Sequence, residues 1–200
     1  MSDDVLSSRP DILLMLQDGL PDDIEGYARD QLTALTPKLV IRRQSGGPYA
    51  GLDLFLPTAV ALFVAAGFFN GLLQEAGKDT YIAFKSAAIA LWQRAGSFQA
   101  KAIGSAGKIS QNHRYSLAFS ITGEVVSGTR FKFILKIDVP RNEAEAGVEC
   151  FLQLINDLLN DRLVEAEIEA LLSYKPVGGV VLVTFDVDSR KIVPVNAFAR

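Results

Sequence analysis

The most apolar part of the chain runs from residue 54 to residue 73, LFLPTAVALFVAAGFFNGLL, and contains no charged side chain. Pro57 suits the first turn of a helix, where its missing N–H has no intrahelical partner. The pattern therefore predicts a helix over residues 57–73 that is apolar on all sides and is enclosed by other elements. Gly67 and Gly71 lie one turn apart in this helix and predict a close helix crossing.

The same segment leaves a membrane hypothesis open. The uncharged helix over residues 57–73 is close to the lower limit of about 17 residues that a transmembrane helix requires. Asn70, Gly67 and Gly71 disfavour insertion, and the flanking loops give little orientation signal. We therefore favour a buried helix in a soluble fold, with a membrane-spanning or membrane-inserting helix as the alternative.

The rest of the chain predicts strands and amphipathic helices. Alternating apolar and polar residues in YSLAFSIT and RFKFILKIDV predict a hairpin with one buried face, joined through VSGT. Further hairpins are predicted over residues 38–56 and 178–195, and Pro194 places the last strand at a sheet edge. Helical spacing after residue 141 predicts a helix that buries Phe151 and Ile155.

This order predicts a single α+β domain over residues 1–200. We expect a largely antiparallel sheet built from several hairpins, with helices packed on one face and the apolar helix buried among them. The weakly patterned stretch at residues 96–112 is the best candidate for a mobile loop or an internal boundary.

Composition narrows the function classes. The net charge of −3 and the pI of about 5.2 disfavour general nucleic-acid binding. The single cysteine, Cys150, excludes an intramolecular disulfide framework and any multi-cysteine metal site. Its rarity fits a reducing compartment, and the acidic N-terminus lacks secretory-signal character, so a cytoplasmic location is predicted.

Basic residues give weak candidates for surface or anion contacts. The GSAGKIS segment departs from the phosphate-binding loop pattern, because Ile109 follows the lysine and the first glycine is too near. One face of the predicted strand at residues 130–136 carries basic residues without interleaved aromatic ones, which favours a solvated face over nucleic-acid binding. The candidate contacts are Lys108, His113, Arg114, Arg130, Lys132 and Lys136.

No convergent catalytic set is present in the sequence. Cys150 is expected to pack in a helix, the lone His113 is expected at the surface, and Asp186 and Asp188 are attributed to turn chemistry rather than to a metal. We predict no catalytic residue, no cofactor and no metal ligand.

Three functions remain, in decreasing order of preference. The first is a non-enzymatic intracellular interaction or regulatory module that acts through its surface, with a protein partner or with a second copy of itself. The second is the membrane-associated protein that uses residues 57–73. The third is an enzyme with an unrecognised carboxylate or backbone site.

Overall fold

The seven strands that the structure describes belong to one sheet. The computed structural model describes residues 9–45, 55, 58–72, 78–96, 114–125 and 128–196. The strands are β1 (Ile12–Gln17), β2 (Leu39–Gln44), β3 (Val60–Val64), β4 (Tyr115–Glu124), β5 (Arg130–Lys136), β6 (Val180–Asp186) and β7 (Lys191–Pro194). The helices are α1 (Asp22–Thr33), α2 (Ala66–Leu72), α3 (Lys78–Gly96), α4 (Arg141–Leu159) and α5 (Glu165–Leu171).

The sheet is mixed, so the predicted largely antiparallel arrangement is wrong in this respect. Its strand order is β2-β1-β3-β4-β5-β6-β7. The pairs β1/β2, β3/β4 and β5/β6 are parallel, whereas β1/β3, β4/β5 and β6/β7 are antiparallel. Each parallel pair is joined through one or two helices, as a parallel connection requires. The coarser prediction of an α+β fold is confirmed.

The helices cover one face of the sheet. Neighbouring strands place apolar residues in one continuous row across this face: Ile41, Leu14, Leu62, Ile121, Phe133 and Val183. The helices α1, α3 and α4 contact one another in sequence over that face. Phe151 and Ile155 of α4 are fully buried as predicted, and the Phe151 ring stacks on Phe133 with 5.2 Å between centroids.

The predicted apolar helix over residues 57–73 is wrong. Its first half forms β3, a strand near the middle of the sheet, and α2 begins only at Ala66. Almost every residue of β3 is buried, because both faces of a central strand are covered, and such a strand reads as a continuous apolar run. None of the described helices is long and apolar enough to cross a membrane.

The glycines that allow close packing are also different from those predicted. A methyl group added at Gly67 or Gly71 would meet no atom of the described residues within 4 Å, so neither glycine forms the expected crossing with a described element. A methyl group at Gly147 of α4 would lie 3.0 Å from Phe133 and from Phe185. The close approach of α4 to β5 and β6 therefore depends on Gly147.

The remaining hairpin predictions have different outcomes. The hairpin of β4 and β5 and that of β6 and β7 are confirmed, and β7, which contains Pro194, ends the sheet order. The strand at residues 39–44 exists, but it pairs in parallel with β1. Of residues 46–56, the second half of the predicted hairpin, the structure describes only Phe55. Residues 97–112 also lie outside the described residues.

Candidate functional site

The second face of the sheet carries buried polar side chains. Five of the buried polar residues belong to this region, from the entrance of β3 across to β6: Thr58, Ser120, Thr122, Lys132 and Thr184. Because strand residues alternate between the two faces, the row that includes Ser120 lies opposite the apolar row described above. The hydroxyls of Thr58 and Ser120 are 2.8 Å apart, and Thr58 donates to the carbonyl of Val60 at 2.7 Å. Ser120 is therefore the donor to Thr58.

Lys132 is the most unusual member of this group. It lies in the middle of β5, between Thr122 of β4 and Leu182 of β6, and only 3% of its surface is exposed. Burial lowers the pKa of the Lys132 ammonium from its ordinary value of 10.5 to about 7, because low-dielectric surroundings disfavour the charged form. The prediction that Lys132 belongs to a solvated strand face is wrong.

Thr184 adds a second polar feature on this face. Its side chain is 3% exposed, and its Oγ1 makes no hydrogen bond within the part of the chain that the structure describes. Within these residues no hydrogen bond compensates the burial of the Thr184 hydroxyl, which costs free energy.

A small cleft opens beside these residues, and we call it the β6 cleft. Its volume is about 130 Å³. The walls include Phe55, Tyr174, Lys175, Val180, Leu182 and Val195. An apolar cavity of about 150 Å³ can hold a benzene ring, so the β6 cleft matches one apolar side chain rather than a large cofactor.

Part of the cleft wall belongs to a second apolar cluster. Leu182 and Val195 pack with Ile134 there, and Tyr115 and Val180 are partly buried against them. This cluster lies on the opposite sheet face from the main core, because Ile134 alternates with Phe133 along β5. The cleft therefore has a rigid apolar floor formed by paired strands.

Two of the predicted basic contacts are cross-strand neighbours of the cleft wall. Arg130 pairs with Val180, and Lys132 pairs with Leu182. Arg130 also donates through Nη2 to the carbonyl of Gly178 at 2.9 Å, which fixes its guanidinium beside the approach to β6. The structure thus brings Arg130 and Lys132 to the same site, one at its margin and one beneath it.

Arg114 lies beside Tyr115, a partly buried member of the second apolar cluster. Burial raises the pKa of the Tyr115 phenol. Arg114 lowers this pKa and Tyr174 raises it further, so the side chains of Arg114 and Tyr174 both lie close enough to influence Tyr115. Lys136 lies opposite Tyr115 on β5 and also acts electrostatically on Asp186. The other two predicted contacts, Lys108 and His113, lie outside the described residues.

Three residues of this region, Tyr174, Lys175 and Thr184, are not predicted from the sequence. Tyr174 and Lys175 follow α5 in a segment without clear periodicity, so nothing in the local sequence connects them with β6. A threonine at position 184 of β6 is equally compatible with a buried and with a solvated strand face. The only available signal was the alternation in VVLVTFD, which places Thr184 and Leu182 on one face.

Other candidate chemistry in the chain is weaker. Burial raises the pKa of the Cys150 thiol, an effect that Glu149 reinforces and Arg190 opposes. The carboxylate of Asp186 accepts hydrogen bonds from the backbone N–H and the hydroxyl of Ser189, which explains it as a turn residue. Across the described residues no three His, Cys, Asp or Glu side chains group as metal ligands would.

Comparisons with known proteins identify no relative. The chain matches no protein-family model, no curated protein and no solved structure.

Proposed function

We propose that the protein is a non-enzymatic intracellular interaction or regulatory module that binds a protein partner at the β6 cleft. The observation that carries this proposal is an apolar cleft whose wall includes the exposed side chain of Tyr174.

Among the described residues, exposed apolar side chains lie at both ends of α5, and one of them, Tyr174, lines the cleft. Val164, Leu172 and Tyr174 are 62%, 40% and 43% exposed and lie at or just beyond the two ends of α5. Single exposed apolar residues are common, whereas a group of them beside a cleft is typical of a binding surface.

The composition of the cleft favours binding over catalysis. Among the described residues, its polar wall groups are the phenol of Tyr174, the ammonium of Lys175 and the amide of Asn196. Such groups orient a ligand, but a general base or nucleophile needs a partner within hydrogen-bond reach. An aromatic side chain beside an apolar floor is instead the usual centre of a protein interface.

Site-specific photo-cross-linking tests the proposal in cells that produce the protein naturally. A photo-reactive benzoylphenylalanine replaces Tyr174 in one variant and Ile82 in a matched control, because Ile82 is 50% exposed but lies on α3. We expect a discrete protein adduct from position 174 and none from position 82. Excess wild-type protein should compete with the adduct, whereas excess Tyr174→Ser protein should not.

The other outcomes are equally informative. An adduct whose mass is twice the 21.7 kDa of the chain, and which is competed in the same way, would identify a second copy as the partner. Equal adducts from both positions, or none from position 174, would refute a binding surface at the β6 cleft.

A further inference from the structure

We propose that the partner docks through an acidic, linear peptide segment that inserts one apolar side chain into the β6 cleft. This inference rests on the proposed function and adds the chemistry of the partner. It depends on the size of the cleft, on the charges around it and on the state of the neighbouring strand edge.

The cleft accepts one side chain. A volume of about 130 Å³ is close to that of a cavity that holds a benzene ring, so a Leu, Met or Phe side chain of the partner would fill it. Tyr174 forms one wall, and Val180 and Leu182 form the floor. A buried side chain of this kind, beside an exposed aromatic residue, supplies most of the affinity in many interfaces.

The charges next to the cleft are positive. Lys175 is exposed and forms part of the wall, and Arg130 pairs with Val180 of the same wall. Glu124 lies opposite Arg130 on β4, but its carboxylate forms an ion pair with Arg9 at 2.9 Å. Carboxylates that flank the inserted side chain would therefore meet complementary charge.

The acidic residues of α5 limit where an acidic partner segment can lie. Glu165 and Glu169 are exposed and share one side of this short helix with Leu172, since they are separated by four and three residues. An acidic segment placed over α5 would be repelled. The segment should therefore lie towards Lys175 and Arg130.

The edge of β7 favours side-chain insertion over addition of a strand. Val195 donates its N–H to Leu182 of β6, so by alternation Val193 and Lys191 also face β6. The outward-facing positions are then Ile192 and Pro194, and proline has no N–H to donate. An edge with so few donors gives little backbone pairing to an added strand.

The experiment uses the full-length chain and a displayed library of random linear peptides. Peptides are selected on wild-type protein after depletion on the Tyr174→Ala variant, so that only cleft-dependent binders remain. We expect enriched sequences in which a Leu, Met or Phe is flanked by Asp or Glu. Synthetic peptides with the enriched sequence then give dissociation constants in solution.

Charge reversals on the two sides of the cleft separate the proposed charge recognition from general binding. Lys175→Glu should weaken binding by about three- to tenfold, the range expected for reversing one exposed charge contact. Glu169→Lys, an exposed reversal on α5, should leave the affinity unchanged or improve it. Thermal unfolding of both variants should match wild type, which shows that the effect is on binding.

Two failures are distinguishable. Enrichment of cleft-dependent peptides with neutral or basic flanks, or a loss of affinity only in Glu169→Lys, would overturn the acidic-partner inference and leave the proposed function standing. No enrichment of any Tyr174-dependent peptide, together with no cross-linked partner at position 174, would overturn both.

Discussion

Replacing Lys132 with methionine should make the protein more stable near neutral pH. The substitution keeps an unbranched side chain of similar length and removes the ammonium from its position between Thr122 and Leu182, where only 3% of the residue is exposed. Burial holds the pKa of Lys132 at about 7 in the folded protein, against an ordinary value of 10.5. The charged form is therefore disfavoured by folding.

The size of the effect follows from this difference. At about 1.4 kcal/mol per pKa unit, the full penalty for burying the charged form is about 5 kcal/mol. Local relaxation and the loss of the interaction that Lys132 makes in the folded chain both reduce this gain, so that about 1 to 4 kcal/mol remains. We expect Lys132→Met to raise the free energy of unfolding by an amount in that range below pH 7.

The pH dependence gives a second, independent readout. In the unfolded chain Lys132 stays protonated up to about pH 10.5, whereas in the folded chain it is protonated only below about pH 7. Unfolding between these values takes up a proton, so this group makes the wild-type protein more stable as pH rises. The gain in the free energy of unfolding from Lys132→Met is fully present below pH 7 and should decrease as the pH approaches 10.5.

Urea unfolding of both proteins, followed by the fluorescence of Trp92, measures this difference between pH 6 and pH 9.5. Lys136→Met is the matched control, because Lys136 lies on the same strand and face but is only partly buried. Its effect should stay within about 0.5 kcal/mol at every pH. A Lys132→Met protein that is less stable than wild type at pH 6, or a stability difference that does not change with pH, would refute the reasoning.

Two further predictions concern packing and thiol chemistry. Gly147→Ala should destabilise the protein by about 1 to 3 kcal/mol, because the added methyl lies 3.0 Å from Phe133 and Phe185. Gly26→Ala is the control in α1, where the added methyl meets no described atom, and it should stabilise the protein by about 0.5 to 1 kcal/mol. Thermal unfolding of both variants decides this, and a stabilised Gly147→Ala protein would contradict the described packing of α4. Cys150 should react with a disulfide reagent more slowly at pH 8 than the same thiol in urea, since burial raises its pKa, and equal rates would show that the thiol is open to solvent.

The sequence by itself determined the elements that have a clear period. The alternation along β4 and β5 and the helical spacing of Phe151 and Ile155 both reflect one buried and one exposed side, so the local pattern carries the information. Pro194 also identified its edge strand, because a proline cannot donate to a ladder. In each of these cases a local constraint was sufficient.

Tertiary structure decided where a residue had no local signature. The sequence of residues 60–64 is equally compatible with a buried helix, because a strand that is buried on both faces shows no alternation of apolar and polar residues. Only its position between β1 and β4 makes this segment a strand. The same position makes the sheet mixed, since β3 and β4 become a parallel pair joined by helices.

The candidate site depended on tertiary structure even more strongly. Basic residues that alternate along one strand predict a solvated face, and the sequence contains nothing that distinguishes Lys132 from Arg130 or Lys136. The depth of Lys132 follows from its place at the centre of a seven-stranded sheet, where both neighbouring strands shield it. Tyr174 and Lys175 join the cleft through contacts with strands that follow them in the chain. Burial is a property of all the segments that surround a side chain, and for this reason only the folded chain determines the site.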